Sequence, residues 1–325
     1  MAAYQWLSSI REWLAAVLRS ITRRRTISIS PSSSTAAEAS SETYLKNLRD
    51  KIYCAGDCDL HVILRQRSKL DWPEWHLNIA ENDKAIEIAQ GFHKDFEKLK
   101  PSSSIVGQVR TIEETFLKFL PIGSGWDQVR EYFQQARQQN NPLSVIKAYT
   151  RSKEFTERLN KHSAANTYHL LKLYCTLLNC PILAYTQEYT EAFTSILFHP
   201  KLDQYLVRNE TVYRGIVLKD DKPIANYRVG VTIITTTFLS TSRSECVARD
   251  FGAADSGGVS IFSAYHISNI RRHTALNIGQ ISHYSDEHEV LILRYVPFKI
   301  TSLVRAENGG SIEIHFNEYA EQQTV

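Results

Sequence analysis

Apolar residues recur at two different spacings along the chain, and the change between them divides it into two halves. Up to about residue 180 they repeat every three or four positions, as in the row that runs from Ile105 to Phe119. This is the spacing of one helix face. Aromatic residues on these rows, such as Tyr149 and Phe155, are therefore expected in the core. The predicted helices cover residues 84–99, 105–119, 126–136, 143–161 and 164–179.

After about residue 210, β-branched residues alternate with polar ones, which is typical of strands. A helical half that precedes a strand-rich half predicts an α+β fold rather than alternating βαβ units. No G-x-G-x-x-G motif follows a strand and no P-loop motif occurs, which argues against a Rossmann or P-loop nucleotide site. The predicted strands cover residues 211–218, 231–240, 258–266, 271–278, 289–296, 299–304 and 311–316.

The first 25 residues combine an amphipathic helix pattern with a cluster of arginines. They hold five arginines and one glutamate, a net charge of +4, so the rest of the +3 chain sums to −1. A neutral body argues against nucleic acid as a partner. The leader fits an interfacial helix on an anionic membrane, a helix that docks on its own protein or a partner, or, less well, a mitochondrial presequence. We expect a cytoplasmic protein, with membrane association through this helix as an alternative.

Composition also predicts the division of the chain. Residues 26–42 include nine serines and threonines and form a linker. Residues 43–100 form a small module of unknown role, residues 101–306 the main domain, and residues 307–325 a last strand and tail. Five scattered cysteines indicate neither a disulfide framework nor a metal site, although Cys54, Cys58 and His61 leave a weak metal alternative.

Three positions in the strand half carry candidate chemistry. Arg214 lies inside an apolar strand and requires an anionic partner, either a core carboxylate or a phosphate ligand. Ser240, Thr241 and Ser242 end a strand before a helix. Either Ser242 or Ser244 caps that helix, or the hydroxyls orient a nearby carboxylate.

Glu287 and Glu289 form the third candidate position. If the strand begins before them, both side chains point to one face, because residues i and i+2 of a strand share a face. Two carboxylates beside a glycosidic bond suit oxocarbenium chemistry. The alternative is a solvated acidic turn, since E-x-E is common in proteins.

The three positions occur in order, separated by 26 and 47 residues. This combination resembles the arginine-specific mono-ADP-ribosyltransferases of the Arg–Ser–Glu class, over roughly residues 105–306. The resemblance implies that residues 101–306 are the catalytic domain, with a two-sheet β core and an NAD cleft packed against the helical half. It implies NAD as a substrate, no metal, and a protein partner with an accessible arginine.

The resemblance also implies roles for single residues. Arg214 would hold an NAD phosphate, Ser240 would bond to the catalytic carboxylate Glu289, and Glu287 would position the incoming guanidinium and assist loss of its proton. The same resemblance places Gly215, Thr241, Ser242 and Phe251 at the NAD site and Tyr284 in a substrate-contacting loop. For Phe251 a core position is the alternative, and for Tyr284 a plain turn.

The predicted function is transfer of ADP-ribose from NAD to protein arginine, a glycosyl transfer that releases nicotinamide. Two alternatives remain open at this point. One is an NAD glycohydrolase on the same fold, with water as the acceptor. The other is an inactive NAD-binding interaction module.

Overall fold

A computed structural model describes most of the chain beyond residue 75. The predictions for residues 1–75, which include the leader, the linker and the Cys54–Cys58–His61 alternative, lie outside the described residues. Within the described ranges, no helix is long and apolar enough to cross a membrane. The described residues are 76–78, 83–98, 104–120, 122–123, 125–170, 181–218, 221, 224–225, 227–253, 258–268, 273–307 and 309–319.

The apolar rows of the first half that the structure describes form helices, as predicted. The helix expected to begin at residue 164 is instead continuous with residues 153–163, and residues 171–179 lie outside the described residues. Ile105, Val109, Ile112 and Phe116 are fully buried, which confirms that their row faces the core. Two short 3₁₀ helices, Leu117–Phe119 and Pro200–Tyr205, lie between or after the longer ones. The helices are α1 (Asp83–Lys98), α2 (Val106–Thr115), α3 (Gly125–Gln139), α4 (Pro142–Arg151), α5 (Lys153–Leu170) and α6 (Pro181–Ile196).

The single helix predicted over residues 143–161 is wrong, because the chain breaks at Ser152. This residue has extended backbone angles (φ −110°, ψ 102°). Its side-chain oxygen accepts a hydrogen bond from the backbone N–H of Phe155 at 3.2 Å. Ser152 therefore ends α4 and caps the start of α5.

The strand half forms a mixed sheet with one helix, α7 (Glu245–Phe251), between β4 and β5. The strand order is β1-β3-β8-β9-β5-β2-β4-β7-β6. β5 and β9 pair in parallel, and the other neighbours pair antiparallel. The strands are β1 (His76–Asn78), β2 (Glu210–Leu218), β3 (Thr232–Thr235), β4 (Leu239–Ser242), β5 (Val259–Ile267), β6 (Ala275–Asn277), β7 (Glu289–Ile292), β8 (Pro297–Arg305) and β9 (Ser311–Glu318).

Two groups of strands meet at one point of this order. β2 and β4 share the single residue pair Tyr213 and Ser242. On one side of that pair lie the six strands from β1 to β2, and on the other lie β4, β7 and β6. The α+β class is confirmed, with a mixed sheet core. The described strands form one connected sheet, which narrows to a single residue pair between the two groups.

The strand predicted over residues 231–240 is split into β3 and β4, because side chains of α5 hold the segment between them. Thr167 Oγ1 donates to the carbonyl oxygen of Thr236 at 2.7 Å. Thr237 Oγ1 donates to Asn160 Oδ1 at 2.6 Å. The chain leaves the first group of strands here and re-enters the sheet as β4, which carries Ser240.

Elements on both sides of residues 101–306 contribute to the same core. The ring centroid of Phe92 in α1 lies 5.4 Å from that of Tyr295, and the ring of Phe96 stacks on Phe198 at 5.6 Å. β9 lies inside the sheet, between β8 and β5. The predicted domain boundaries stay a prediction.

Candidate active site

Arg214 projects from β2 at the junction of the two strand groups. Its Nη1 donates a hydrogen bond to the carbonyl oxygen of Ser240 in β4, at 2.5 Å. Burial lowers the pKa of Arg214, while the nearby Tyr265, Tyr149 and Glu289 oppose that shift. An arginine nevertheless keeps its charge in proteins, so the junction carries a fixed cation.

Glu289 begins β7, and hydroxyl groups contact both of its carboxylate oxygens. Ser240 Oγ donates to Oε1 at 2.5 Å, and Ser282 Oγ donates to Oε2 at 2.9 Å. β4 and β7 are antiparallel neighbours with Ser242 opposite Glu289. Ser240 therefore lies diagonally across the same face, within reach of the carboxylate. The serine–carboxylate contact that the resemblance implied is present.

The electrostatic environment of Glu289 is a balance of opposing effects. The residue is only 5% exposed, and burial raises the pKa of its carboxyl group. The hydrogen bonds from Ser240 and Ser282 and the charge of Arg214 lower that pKa, but burial outweighs them. Such a shift, caused by desolvation and opposed by specific partners, is frequent at functional sites.

A turn, and not the predicted strand, places Glu287 near Glu289. It lies in a short 3₁₀ helix, Ser285–Glu287, and not in the strand. His288 follows with left-handed backbone angles (φ 47°, ψ 46°), and β7 begins only at Glu289. The strand argument for a shared face is therefore wrong at this position, because the strand starts too late.

Glu287 is nevertheless an electrostatic neighbour of Glu289. Burial raises the pKa of Glu287, and the negative charges of Glu289 and Asp286 raise it further. Ser242 Oγ donates to the backbone oxygen of Glu287 at 2.6 Å, which fixes the turn against β4. The Glu287 side chain is half-buried, whereas that of Glu289 is buried.

Thr241 and Ser242, which were expected at the NAD site, use their hydroxyls to join β4 to the chain around β7. Thr241 Oγ1 donates to the carbonyl oxygen of Val290 at 2.7 Å. Ser244, rather than Ser242, caps α7, since its side chain accepts from the N–H of Val247. Ser244 thus provides the cap and Ser240 bonds to a carboxylate, while Thr241 and Ser242 fasten the backbone of β4.

Gly215 lies under α7, where a side chain has no room. A Cβ atom built on Gly215 would lie 1.7 Å from the carbonyl oxygen of Ala248 and 2.6 Å from the backbone nitrogen of Gly252. The residue after Arg214 thus lets α7 approach β2 closely. Its predicted contact with NAD stays a prediction.

The two aromatic candidates lie on the surface. Phe251 ends α7 and is 60% exposed, so the core alternative for it is wrong. Tyr284 is 50% exposed, with its ring centroid 4.8 Å from that of His283 in an edge-on arrangement. Both rings are accessible to a ligand or a partner.

Sequence reasoning missed two residues of the site. Ser282 carries no signal in the sequence, because its loop shows no periodicity. Tyr149 was assigned to the core, and it is 2% exposed, yet it lies close enough to Glu289 and Arg214 for their charges to affect its pKa. Its hydroxyl accepts a hydrogen bond from Asn160 Nδ2 at 3.1 Å, and burial raises its pKa.

Comparison with known proteins agrees with this fold. Residues 126–324 match the family model described as ART, NAD:arginine ADP-ribosyltransferase. No curated protein sequence matches the chain.

Solved structures that are similar to this chain include three bacterial proteins. One is the Vis toxin, an ADP-ribosyltransferase from Vibrio splendidus (16% identity, 79% of this chain and 91% of that one, TM-score 0.38). Another is exoenzyme S from Pseudomonas aeruginosa (14% identity, 67% and 94%, TM-score 0.41). The third is the type III effector XopAI from Xanthomonas axonopodis pv. citri (15% identity, 79% and 98%, TM-score 0.44).

The α+β fold, with the arginine, the serine and the glutamates at one strand junction, defines an enzyme that uses NAD as a substrate for ADP-ribosylation. The matched region covers more than half of the chain. The chain belongs to the NAD:arginine ADP-ribosyltransferase family.

Proposed function

We propose that the protein transfers ADP-ribose from NAD to the guanidinium group of arginine side chains in other proteins. The observation that carries this proposal is the pair of unlike carboxylates. Glu289 is buried and both of its oxygens accept hydroxyl hydrogen bonds, whereas Glu287 is half-buried and more accessible. Glu289 is thus suited to act on NAD, which donates the ADP-ribose, and Glu287 is suited to act on the arginine that accepts it.

Glu289 is suited to the step that breaks the bond between the ribose and nicotinamide. The bonding electrons leave with nicotinamide, and positive charge develops on the ribose. A preorganised carboxylate beside that charge stabilises the transition state more than the ground state. Ser240 and Ser282 hold the carboxylate so that it does not have to reorient as the charge develops. Arg214 supplies the cation for an NAD phosphate.

Glu287 is suited to the acceptor. A guanidinium is a poor nucleophile because its pKa is above about 12, so a base must take its proton as the new carbon–nitrogen bond forms. A carboxylate beside other carboxylates attracts the cationic acceptor. The raised pKa of Glu287 also makes it a better base than an ordinary glutamate.

The test uses agmatine as a small guanidinium acceptor and follows NAD consumption, free ADP-ribose and ADP-ribosyl-agmatine. The wild-type enzyme is expected to form ADP-ribosyl-agmatine. Glu287→Gln should lower transfer by about 100-fold or more, the scale of a lost general base, while much of the NAD hydrolysis remains. Glu307→Gln, which removes an exposed carboxylate from the turn after β8, is the matched control and should change transfer less than about twofold.

Two outcomes would contradict the proposal. If the wild-type enzyme consumes NAD in the presence of agmatine but forms only free ADP-ribose, the protein is a glycohydrolase. If it consumes no NAD under any condition tested, it is a binding module.

A further inference from the structure

The loop that precedes the two glutamates, residues 279–286, contacts the helical half of the protein as well as the sheet. We name it the acceptor loop. The backbone N–H of His283 donates to Thr150 Oγ1 at 3.1 Å. Arg151 Nη1 forms a hydrogen bond with His283 Nε2. The last two residues of α4 therefore hold the loop at its exposed tip.

Arg151 is itself held from the other side. Its Nε donates to Gln128 Oε1 in α3 at 3.0 Å. A guanidinium carries rigidly arranged donors, so two bonds in different directions define its position. The contact from Gln128 through Arg151 to His283 links two helices to the loop, and a lysine could not reproduce both bonds.

The same loop is bonded to the catalytic carboxylate. The backbone N–H of Tyr284 donates to Ser282 Oγ at 3.2 Å, and Ser282 Oγ donates to Glu289 Oε2 at 2.9 Å. The His283 ring lies edge-on to the Tyr284 ring, with centroids 4.8 Å apart. The loop conformation thus sets both the position of the exposed aromatic ring and one hydrogen bond to Glu289.

We infer that Arg151, supported by Gln128 and acting through His283, is a positioning residue for the transfer step. It holds the acceptor loop so that a guanidinium enters beside Glu287 in a productive orientation. On the proposed function, NAD binds at Arg214 and the strand junction. The hydrogen bonds given above for Arg151 go to Gln128 and His283 instead. Loss of Arg151 should therefore weaken use of the guanidinium acceptor more than binding of NAD. This inference rests on the proposed function.

The experiment measures transfer to agmatine and hydrolysis by water in the same reaction. Arg151→Ala and Arg151→Lys are expected to raise the KM for agmatine and the ratio of hydrolysis to transfer by about tenfold or more, since small misplacements of a reacting group are costly. The KM for NAD should stay within about twofold. Lys153→Ala removes a nearby cation that is 90% exposed and is the matched control; its ratio should equal that of the wild-type enzyme.

A double-mutant cycle tests the route through His283. If Arg151 acts through this ring, Arg151→Ala combined with His283→Ala should change the ratio no more than Arg151→Ala alone. Additive effects would overturn the route, and an unchanged ratio in Arg151→Ala would overturn the inference. An equal loss of hydrolysis and transfer would also overturn it, since that indicates a general structural defect. Absence of ADP-ribosyl-agmatine with the wild-type enzyme would instead contradict the proposed function.

Discussion

Replacing Ser240 by alanine removes one hydroxyl from the site and little else. The backbone carbonyl that accepts the hydrogen bond from Arg214 is unchanged in the variant. The hydrogen bond from Ser282 to the other oxygen of Glu289 also remains. The variant thus isolates one of the two hydroxyl contacts to the Glu289 carboxylate.

The expected loss of activity follows from the negative charge of Glu289, which accepts the hydrogen bond from Ser240. A hydrogen bond to a charged group contributes about 1.5–3 kcal/mol, and each ~1.4 kcal/mol is a factor of ten in rate. We therefore expect Ser240→Ala to lower kcat/KM for transfer by about 10- to 150-fold. The Ser240 bond lowers the pKa of Glu289, so its loss moves that pKa further above the ordinary value.

The assay is the pH profile of kcat/KM with NAD and agmatine. Since the reaction uses ionised Glu289, the acid limb of the profile should move to higher pH, and the loss should be larger at pH 5 than at pH 8. Ser285→Ala, which removes an exposed hydroxyl bonded to Asp286, is the control and should change kcat/KM less than about twofold. A Ser240→Ala enzyme with the wild-type rate and an unmoved acid limb would refute the reasoning.

Three further predictions concern the same junction. Glu289→Gln should abolish transfer but raise the melting temperature at pH 8 by about 2–4 °C. Because burial raises the pKa of Glu289, the wild-type protein loses stability as pH rises through that pKa, and the glutamine variant does not. Calorimetry showing no gain at pH 8, or the same gain at pH 4, would argue against this. Gly215→Ala should lower the free energy of unfolding in denaturant by about 1–3 kcal/mol, because its Cβ meets the backbone of Ala248. Gly91→Ala, whose Cβ meets nothing within 4 Å, should raise that free energy by about 0.5–1 kcal/mol. The opposite ranking would be inconsistent with this packing. Arg214→Lys should weaken NAD binding about tenfold or more in titration calorimetry, since an ammonium cannot replace a planar fork on a phosphate, and an unchanged Kd would reject the phosphate assignment.

The alternation of residues was enough to predict most of the sheet that carries the site. β2 and β5 begin and end within one residue of the predicted strands. Local patterning indicates these elements because apolar side chains from both, such as Val212 and Ile261, belong to the buried core. The order of Arg214, Ser240 and Glu289 in the sequence then carried the resemblance.

The sequence did not reveal where the chain stops following its local pattern. The segment between β3 and β4 has strand-like residues, but two hydrogen bonds to α5 hold it outside the sheet. Thr167 donates one to the segment, and the segment donates the other to Asn160. His288 adopts a left-handed conformation, which no pattern indicated, and so Glu287 is placed by a turn. Ser282 joins the site through a bond to Glu289, seven residues further along, because the turn between them folds back; periodicity cannot show this.

The most direct test of the account is to identify the amino acid that receives ADP-ribose. The wild-type protein is incubated with isotope-labelled NAD and a cell lysate, and modified peptides are mapped by mass spectrometry. The account predicts that the label lies on arginine side chains and is absent when Glu289→Gln replaces the wild-type protein. Label on other residue types, or NAD consumption that leaves only free ADP-ribose, would contradict it.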